Sequence, residues 1–324
     1  MRSLLTKREG ETKLGETIDY AKFNWKKELV ATSAKFVVLG IREDIGVRAN
    51  LGIGGAHTNW AGFIKTFVNI QETSQLSGSN IFLLGQIDFN HWTDEGGETT
   101  VPALRKITAS IDEMVYPIIQ EIVAAGKIPI VIGGGHNYAY PIIKGTSMGK
   151  KTALNVVNLD AHSDFRIAEG RHSGNGFRYA YDEQYLIKYA MLGLHEAYNS
   201  NTIVTELNSN TDMLPLMWED IFLREKYTWP SAIQAALNHV SQTKFGVELD
   251  IDSIERALSS AATPVGVSTQ QAMQYLYQCG LAPNASYLHL PEAVSKRADG
   301  QQDFFTGKLL SYLVQAFVKG VLER

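Results

Sequence analysis

Asp160, His162 and Asp164 stand at alternate positions within the stretch Asn158–Arg166, immediately after an apolar run over 154–159. In extended backbone, alternate side chains share one face, so three metal-ligand side chains emerge together where a buried strand ends. Two other apolar runs end in the same chemistry. Residues 128–132 lead through Gly133, Gly134 and Gly135 to His136, and the run from Phe245 leads to Asp250 and Asp252. Alone, a histidine after glycines reads as a turn residue, and two acids at a strand end read as a solvated edge or a helix cap. Two acids and a histidine on one strand face are costly to bury without a cation. The full set holds four carboxylates and two imidazoles. That mix suits a hard or borderline ion such as Mn²⁺. One zinc ion would need four protein ligands or fewer, whereas this set suits two ions bridged by shared carboxylates. Such ions sit about 3.5–4 Å apart and share a water that loses a proton near neutral pH. The chemistry implied is metal-assisted hydrolysis.

The elements that must position these groups are short apolar runs stopped by glycine or acids. Strands are expected over 35–40, 80–85, 128–132, 154–159, 189–194, 245–252 and 286–290, with one or two more in 201–217. Runs of this kind fit parallel strands buried on both faces. Helical spacing marks 103–126, where Pro117 either kinks the helix or opens a second one, and also 229–242, 268–279 and 303–322. Strands and helices alternate, which predicts an α/β fold around a mostly parallel sheet of roughly eight strands. In such sheets the ligand site lies off the C-terminal strand ends. The polar, charged residues 1–34 read as an irregular or helical lead-in, and 35–324 as a single domain. The glycine-rich stretch 42–60 reads as a structured loop near the site.

Composition narrows the function classes. The chain has 324 residues, a net charge of −4 and one cysteine, Cys279. The mild charge argues against nucleic-acid binding and against a basic membrane-surface patch. No apolar run approaches a membrane span, and the N-terminal residues lack a signal-peptide core. The expectation is a cytoplasmic enzyme of small molecules. Cys279 reads as a small buried hydrophobe.

The three motifs ending in His136, Asp164 and Asp252, in that order and spacing, resemble the ureohydrolase superfamily of arginases, agmatinases and formimidoylglutamases. The resemblance runs from about Lys35 to the C-terminus. It implies a three-layer α/β/α sandwich with a parallel eight-stranded sheet, two Mn²⁺ per chain, and a family tendency towards trimers or hexamers. By resemblance, one Mn²⁺ is held by His136, Asp160, Asp164 and Asp250, and the other by His162, Asp160, Asp250 and Asp252. Asp164 also orients the bridging hydroxide and moves the proton. Glu292 takes the position of the glutamate that grips amidine or guanidinium nitrogens.

Substrate choice turns on the loop 172–177. It aligns with the family loop that binds the substrate's amino-acid end: Ser173 and Asn175 remain, while Phe177 stands where arginases carry a proton-shuttling histidine. A phenylalanine at this place, and Arg166 after the second motif, are similar to formimidoylglutamases. Arg166 is suited to pair bidentately with a substrate carboxylate. The expected reaction is cleavage of N-formimidoyl-L-glutamate to L-glutamate and formamide. The alternatives are a urea-releasing guanidino hydrolase and a non-catalytic family member with a binding or regulatory role. Three departures stand out: Glu248 where the family commonly has serine or threonine, Glu255 and Arg256 where it has Asp-Pro, and Asn137 where formimidoylglutamases usually carry glutamate. His57 is a candidate for lining the pocket and His172 for relaying protons. His195, His239 and His289 read as structural or exposed.

Overall fold

The computed structural model describes residues 2–6, 8–93 and 100–324. Nine strands form one sheet: β1 (Asp19–Tyr20), β2 (Phe36–Arg42), β3 (Ile81–Asp88), β4 (Ile128–Ile132), β5 (Leu154–Leu159), β6 (Leu186–Leu194), β7 (Met213–Met217), β8 (Phe245–Leu249) and β9 (Ala285–Leu290). Their order is β1-β3-β2-β4-β9-β8-β5-β6-β7, and every pairing is parallel. The ninth strand, absent from the expected eight, is β1. Its two residues pair with Phe82 and Leu83, too short a segment to carry any period. Within 201–217 only β7 is a strand. Residues Asn201–Ser209 are instead a helix, started by the Ser200 side chain accepting from the Ile203 N–H, a capping arrangement that outweighs the stretch's weak strand character.

The apolar runs are continuous because both faces of the sheet are covered. Along β4, Ile130 and Ile132 enter one core with Val157, Leu159, Val247 and Leu288, while Val131 enters the other with Val37, Val156 and Met191. Helices Asn59–Phe67, Trp229–Val240, Thr269–Leu281 and Thr306–Glu323 cover the first face. Helices Val101–Ala124 and Ala139–Lys150 cover the second. The result is the three-layer arrangement. Each fully buried Val, Ile or Leu contributes roughly 1.5–3 kcal/mol relative to exposure, which fixes the strands that carry the site. Val101–Ala124 runs through Pro117 as one helix. Within the lead-in, Leu14 and Ile18 join the first core and Leu29 the second. No helix among the described residues is long and apolar enough to cross a membrane.

Candidate metal centre

Four adjacent strands, β4, β9, β8 and β5, release their C-terminal ends at one place. After β4, Gly133 and Gly134 take φ of 90° and 69°, a left-handed turn that glycine adopts without steric cost. A Cβ on Gly134 would lie 2.4 Å from the Tyr138 ring. This turn swings His136 back over the sheet end. Asp160 follows β5 directly, anchored by its N–H to the Leu192 carbonyl. Asp164 and Glu292 are non-glycine residues with φ of 44° and 64°. Such strained backbone clusters at functional sites.

The structure brings the six predicted ligands together in two sets that share Asp160: His136, Asp160, Asp164 and Asp250, and then Asp160, His162 and Asp252. His136 Nδ1 lies 3.1, 2.9 and 3.0 Å from oxygens of Asp160, Asp164 and Asp250. His162 Nδ1 lies 3.0 Å from Asp252 and 3.7 Å from Asp160. Asp250 belongs to the first set only; its Oδ1 accepts the Asp252 N–H at 2.8 Å. Asp160 is oriented by two donors, the His162 N–H at 2.7 Å and Asn158 Nδ2 at 3.0 Å.

These residues fit divalent cations. The His136 ring is fully buried, and neither of its nitrogens has a well-formed hydrogen bond. One proton on Nδ1 cannot serve three carboxylate oxygens at about 3 Å, whereas a cation accepts all four donors at once. The titration of the site's own groups points the same way. Burial alone would lower the His136 pKa, but the carboxylates of Asp160, Asp164 and Asp250 raise it well above the ordinary value. Burial raises Asp250 far above the carboxylate range, with the charges of Asp252 and Asp160 adding to it. Burial and the neighbouring Asp160 charge push Asp164 up to about 6. Asp160 is held low: its burial is outweighed by His136 and His162.

Asp164 and Asp250 of the first set and His162 and Asp252 of the second line a cavity of about 400 Å³, along with Asn50, Arg166, Ser173, Tyr198, Ser260 and Glu292, while His136 and Asp160 lie buried behind it. Glu292 accepts the His136 N–H at 2.9 Å and the Ser260 hydroxyl, and burial pushes its carboxyl up to about 7. Arg166 is half-exposed. Its guanidinium meets Glu169 at 2.6 Å and Asn50 at 2.8 Å. Ser173 accepts from Asn50 at 3.3 Å. The other two loop residues stand behind the wall. Asn175 is buried, with its side chain accepting from Arg171 at 2.7 Å and donating to the Gly170 carbonyl at 2.8 Å. Phe177 is fully buried, stacked on Tyr189 at 4.4 Å and edge-on to His136 at 5.1 Å.

Several supporting residues escaped the sequence reading. Arg171 is buried between the rings of Tyr140 and Tyr179, each 4.8 Å away. It pairs with Asp112 at 2.7 Å and also donates to the Asn137 carbonyl at 2.7 Å. It thereby ties the long helix to both site loops. Tyr198 stacks on His162 at 5.2 Å. His289, fully buried, lies against Glu248. Of these, the sequence flags Glu248 as a departure from the family's serine or threonine and His289 as structural or exposed. His57 sits 2.8 Å from Asp44 and lines a different cavity, beside Arg42. His172 is buried and does not line this cavity; burial and the charges of Arg166 and Arg105 lower its pKa to about 4.

The profile of the Arginase family matches residues 47–290. The chain is 30% identical over 176 residues to a formimidoylglutamase of Geobacillus sp. (strain WCH70), a match covering 53% of this chain and 50% of that relative. It is 28% identical over 236 residues to one of Macrococcus caseolyticus, covering 72% and 69%. The chain thus spans about half the length of the first of these relatives. Among solved structures, formimidoylglutamase from Bacillus subtilis superposes with a TM-score of 0.79 at 17% identity, covering 98% of this chain and 94% of that one. Formiminoglutamase from Trypanosoma cruzi, determined with Mn²⁺, superposes with a TM-score of 0.75 at 20% identity, covering 97% and 99%. At these identities the structural likeness establishes the fold. With three-quarters of its length inside the matched profile, this chain belongs to the arginase family.

Proposed function

We propose that this chain is a two-metal hydrolase of linear amidines, cleaving N-formimidoyl-L-glutamate to L-glutamate and formamide. The observation that carries the reading is the shared Asp160, which belongs to both donor sets, with Glu292 and Arg166 facing the same cavity. The names of the relatives support the substrate class. His136, Asp160, Asp164 and Asp250 would hold one Mn²⁺, and His162, Asp160 and Asp252 the other. When bound, the two ions would supply Lewis acidity and a water acidic enough to lose its proton near neutral pH.

The chain's own residues do the rest. Glu292, fixed by the His136 N–H and by Ser260, grips the cationic amidine nitrogens and keeps the formimidoyl carbon over the ligand sets. Asp164, open to the cavity on one side, takes the proton from the attacking water and passes it to the departing nitrogen. The bond from the formimidoyl carbon to the substrate's α-nitrogen breaks, a carbon–oxygen bond forms, and one water is consumed. Arg166, oriented by Asn50 and Glu169, pairs with a substrate carboxylate.

The test is a panel of formimidoylglutamate, arginine, agmatine and guanidino acids with Mn²⁺-loaded protein. Formamide release from formimidoylglutamate is expected. Urea from a guanidino compound, with no formamide, would replace the substrate and keep the two-metal chemistry. No turnover from a protein holding two ions would favour a binding role.

A further inference from the structure

The dry side of the His136 ring faces a carboxylate that the reaction does not use. Glu248 lies on β8 two residues before Asp250 and is fully buried. It is the direct register partner of His289 on β9. Its Oε2 lies 2.7 Å from His289 Nδ1, and its Oε1 accepts the Tyr287 hydroxyl at 2.8 Å. The same Oε2 is 3.5 Å from His136 Nε2. A carboxylate held from two sides by neighbouring-strand donors has little rotational freedom. It therefore presents a fixed acceptor to the back of the His136 ring. The ring's edges are closed by Phe177 and His289, at centroid distances of 5.1 and 5.9 Å. Nε2 faces Glu248 at 3.5 Å, short of a formed hydrogen bond, and in this ring orientation Nδ1 faces the carboxylates of Asp160, Asp164 and Asp250.

We propose that Glu248, clamped by Tyr287 and His289, is the positioning residue that aims His136 at its cation and so sets the affinity of the buried donor set. The proposal rests on the two-metal reading above. Partners that orient ligating histidines from behind are worth about 10–100-fold in metal affinity. The His162 set has its own surroundings, the Tyr198 ring and the open cavity, and does not touch Glu248.

The experiment is calorimetric titration of metal-free full-length protein with Mn²⁺, with electron paramagnetic resonance following the bound ions. Wild type should bind two ions; binding of none would remove the two-metal reading itself, whatever the variants do. Glu248→Gln keeps the shape but turns an amide towards His136. It should weaken one of the two binding steps by about 10–100-fold and leave the other unchanged, converting the coupled two-ion signal to a single-ion one at intermediate Mn²⁺. In a His162→Asn background the remaining step reports the His136 set alone, and Glu248→Gln should weaken that step by the same factor. Unchanged affinities in Glu248→Gln would overturn the proposal. So would an equal loss at both steps together with a lower melting temperature of the metal-free protein, since that is the signature of a scaffold residue. If Glu248→Gln does not fold, Tyr287→Phe answers the question: it leaves the carboxylate in place and removes one clamp. A loss of a few-fold confined to the His136 step is then expected, and no change overturns the inference.

Discussion

The two donor sets share Asp160 but live in different surroundings. The His136 side chain is 0% exposed and the His162 side chain 31%. Behind His136 stand Glu248, His289 and Phe177, and nearby the Arg171–Asp112 pair, all buried. His162 has one aromatic neighbour, Tyr198, which is itself 46% exposed. The difference teaches a division of labour. Around His136, protein on every side decides the geometry, and the deep set meets the cavity only through Asp164 and Asp250. In the open set, the cavity occupies one side, so a substrate and solvent reach it. Burial also sets the penalty for damage: an unpaired group in the deep half has no water to turn to.

The severest challenge to this contrast is Asp160→Ala, which removes the shared ligand and erases the distinction. Both ions should be lost, and turnover should fall by more than ~100-fold, beyond what loss of a mere supporting contact costs. Metal analysis alongside a formamide assay reads this out; a variant that retained two ions would show that the sets are independent.

Next comes Asp112→Ala, which leaves the buried Arg171 guanidinium without its partner. Breaking a buried pair costs about 3–5 kcal/mol, and the urea unfolding midpoint should fall accordingly. A loss below about 1 kcal/mol, the level typical of exposed ion pairs, would mean that the deep half is less rigid than its packing implies.

Mn²⁺ at a hundred times its dissociation constant should stabilise the wild type by about 2.7 kcal/mol for each ion. His162→Asn should lose one such increment and keep the other, and chelation should remove whatever remains. Thermal unfolding with and without the ion measures both. Tyr198→Ala removes only a stacked ring at the rim, and about 1 kcal/mol or less of stability should go with it.

The smallest effect concerns His172. Its folded pKa of about 4 lies below the roughly 6.5 of a free imidazole, so the unfolded chain binds more protons between these values. Stability from this residue is therefore fully present above pH about 6.5 and is lost as the pH falls towards about 4. Denaturant midpoints across that range should slope less in His172→Asn than in wild type; equal slopes would show that the imidazole is not held neutral.

The readable part of this molecule was the part whose signals are local. β4, β5 and β8 are buried on both faces and so appear as mostly apolar runs, broken only by Asn155, Asn158 and Glu248, and His136, Asp160 and Asp250 follow where those runs end. β1 was not readable because two residues carry no period. The helix Asn201–Ser209 hid because it holds few apolar residues and buries only Leu207, its start set by one serine. Asn175 and Phe177 lie in the loop that the resemblance selects, but a sequence does not say which way a loop residue points, and both turn inward. The pairing of Glu248 with His289 depends on the register between β8 and β9. That register joins residues far apart in the chain, and no short motif encodes it.

The strand order has a consequence for how this chain reaches its native state. β9, the last strand in chain order, lies between β4 and β8 in the middle of the sheet. Until it slots in, the sheet is two half-sheets, each with an open inner edge, and pairings over such sequence separations are slow to form. Open inner edges are templates for the wrong partner. Insertion of Ala285–Leu290 is thus the event that both closes those edges and delivers Glu292 to the site. An ion that bound only the finished arrangement would favour that final step, because binding to the native state alone shifts the folding equilibrium towards it.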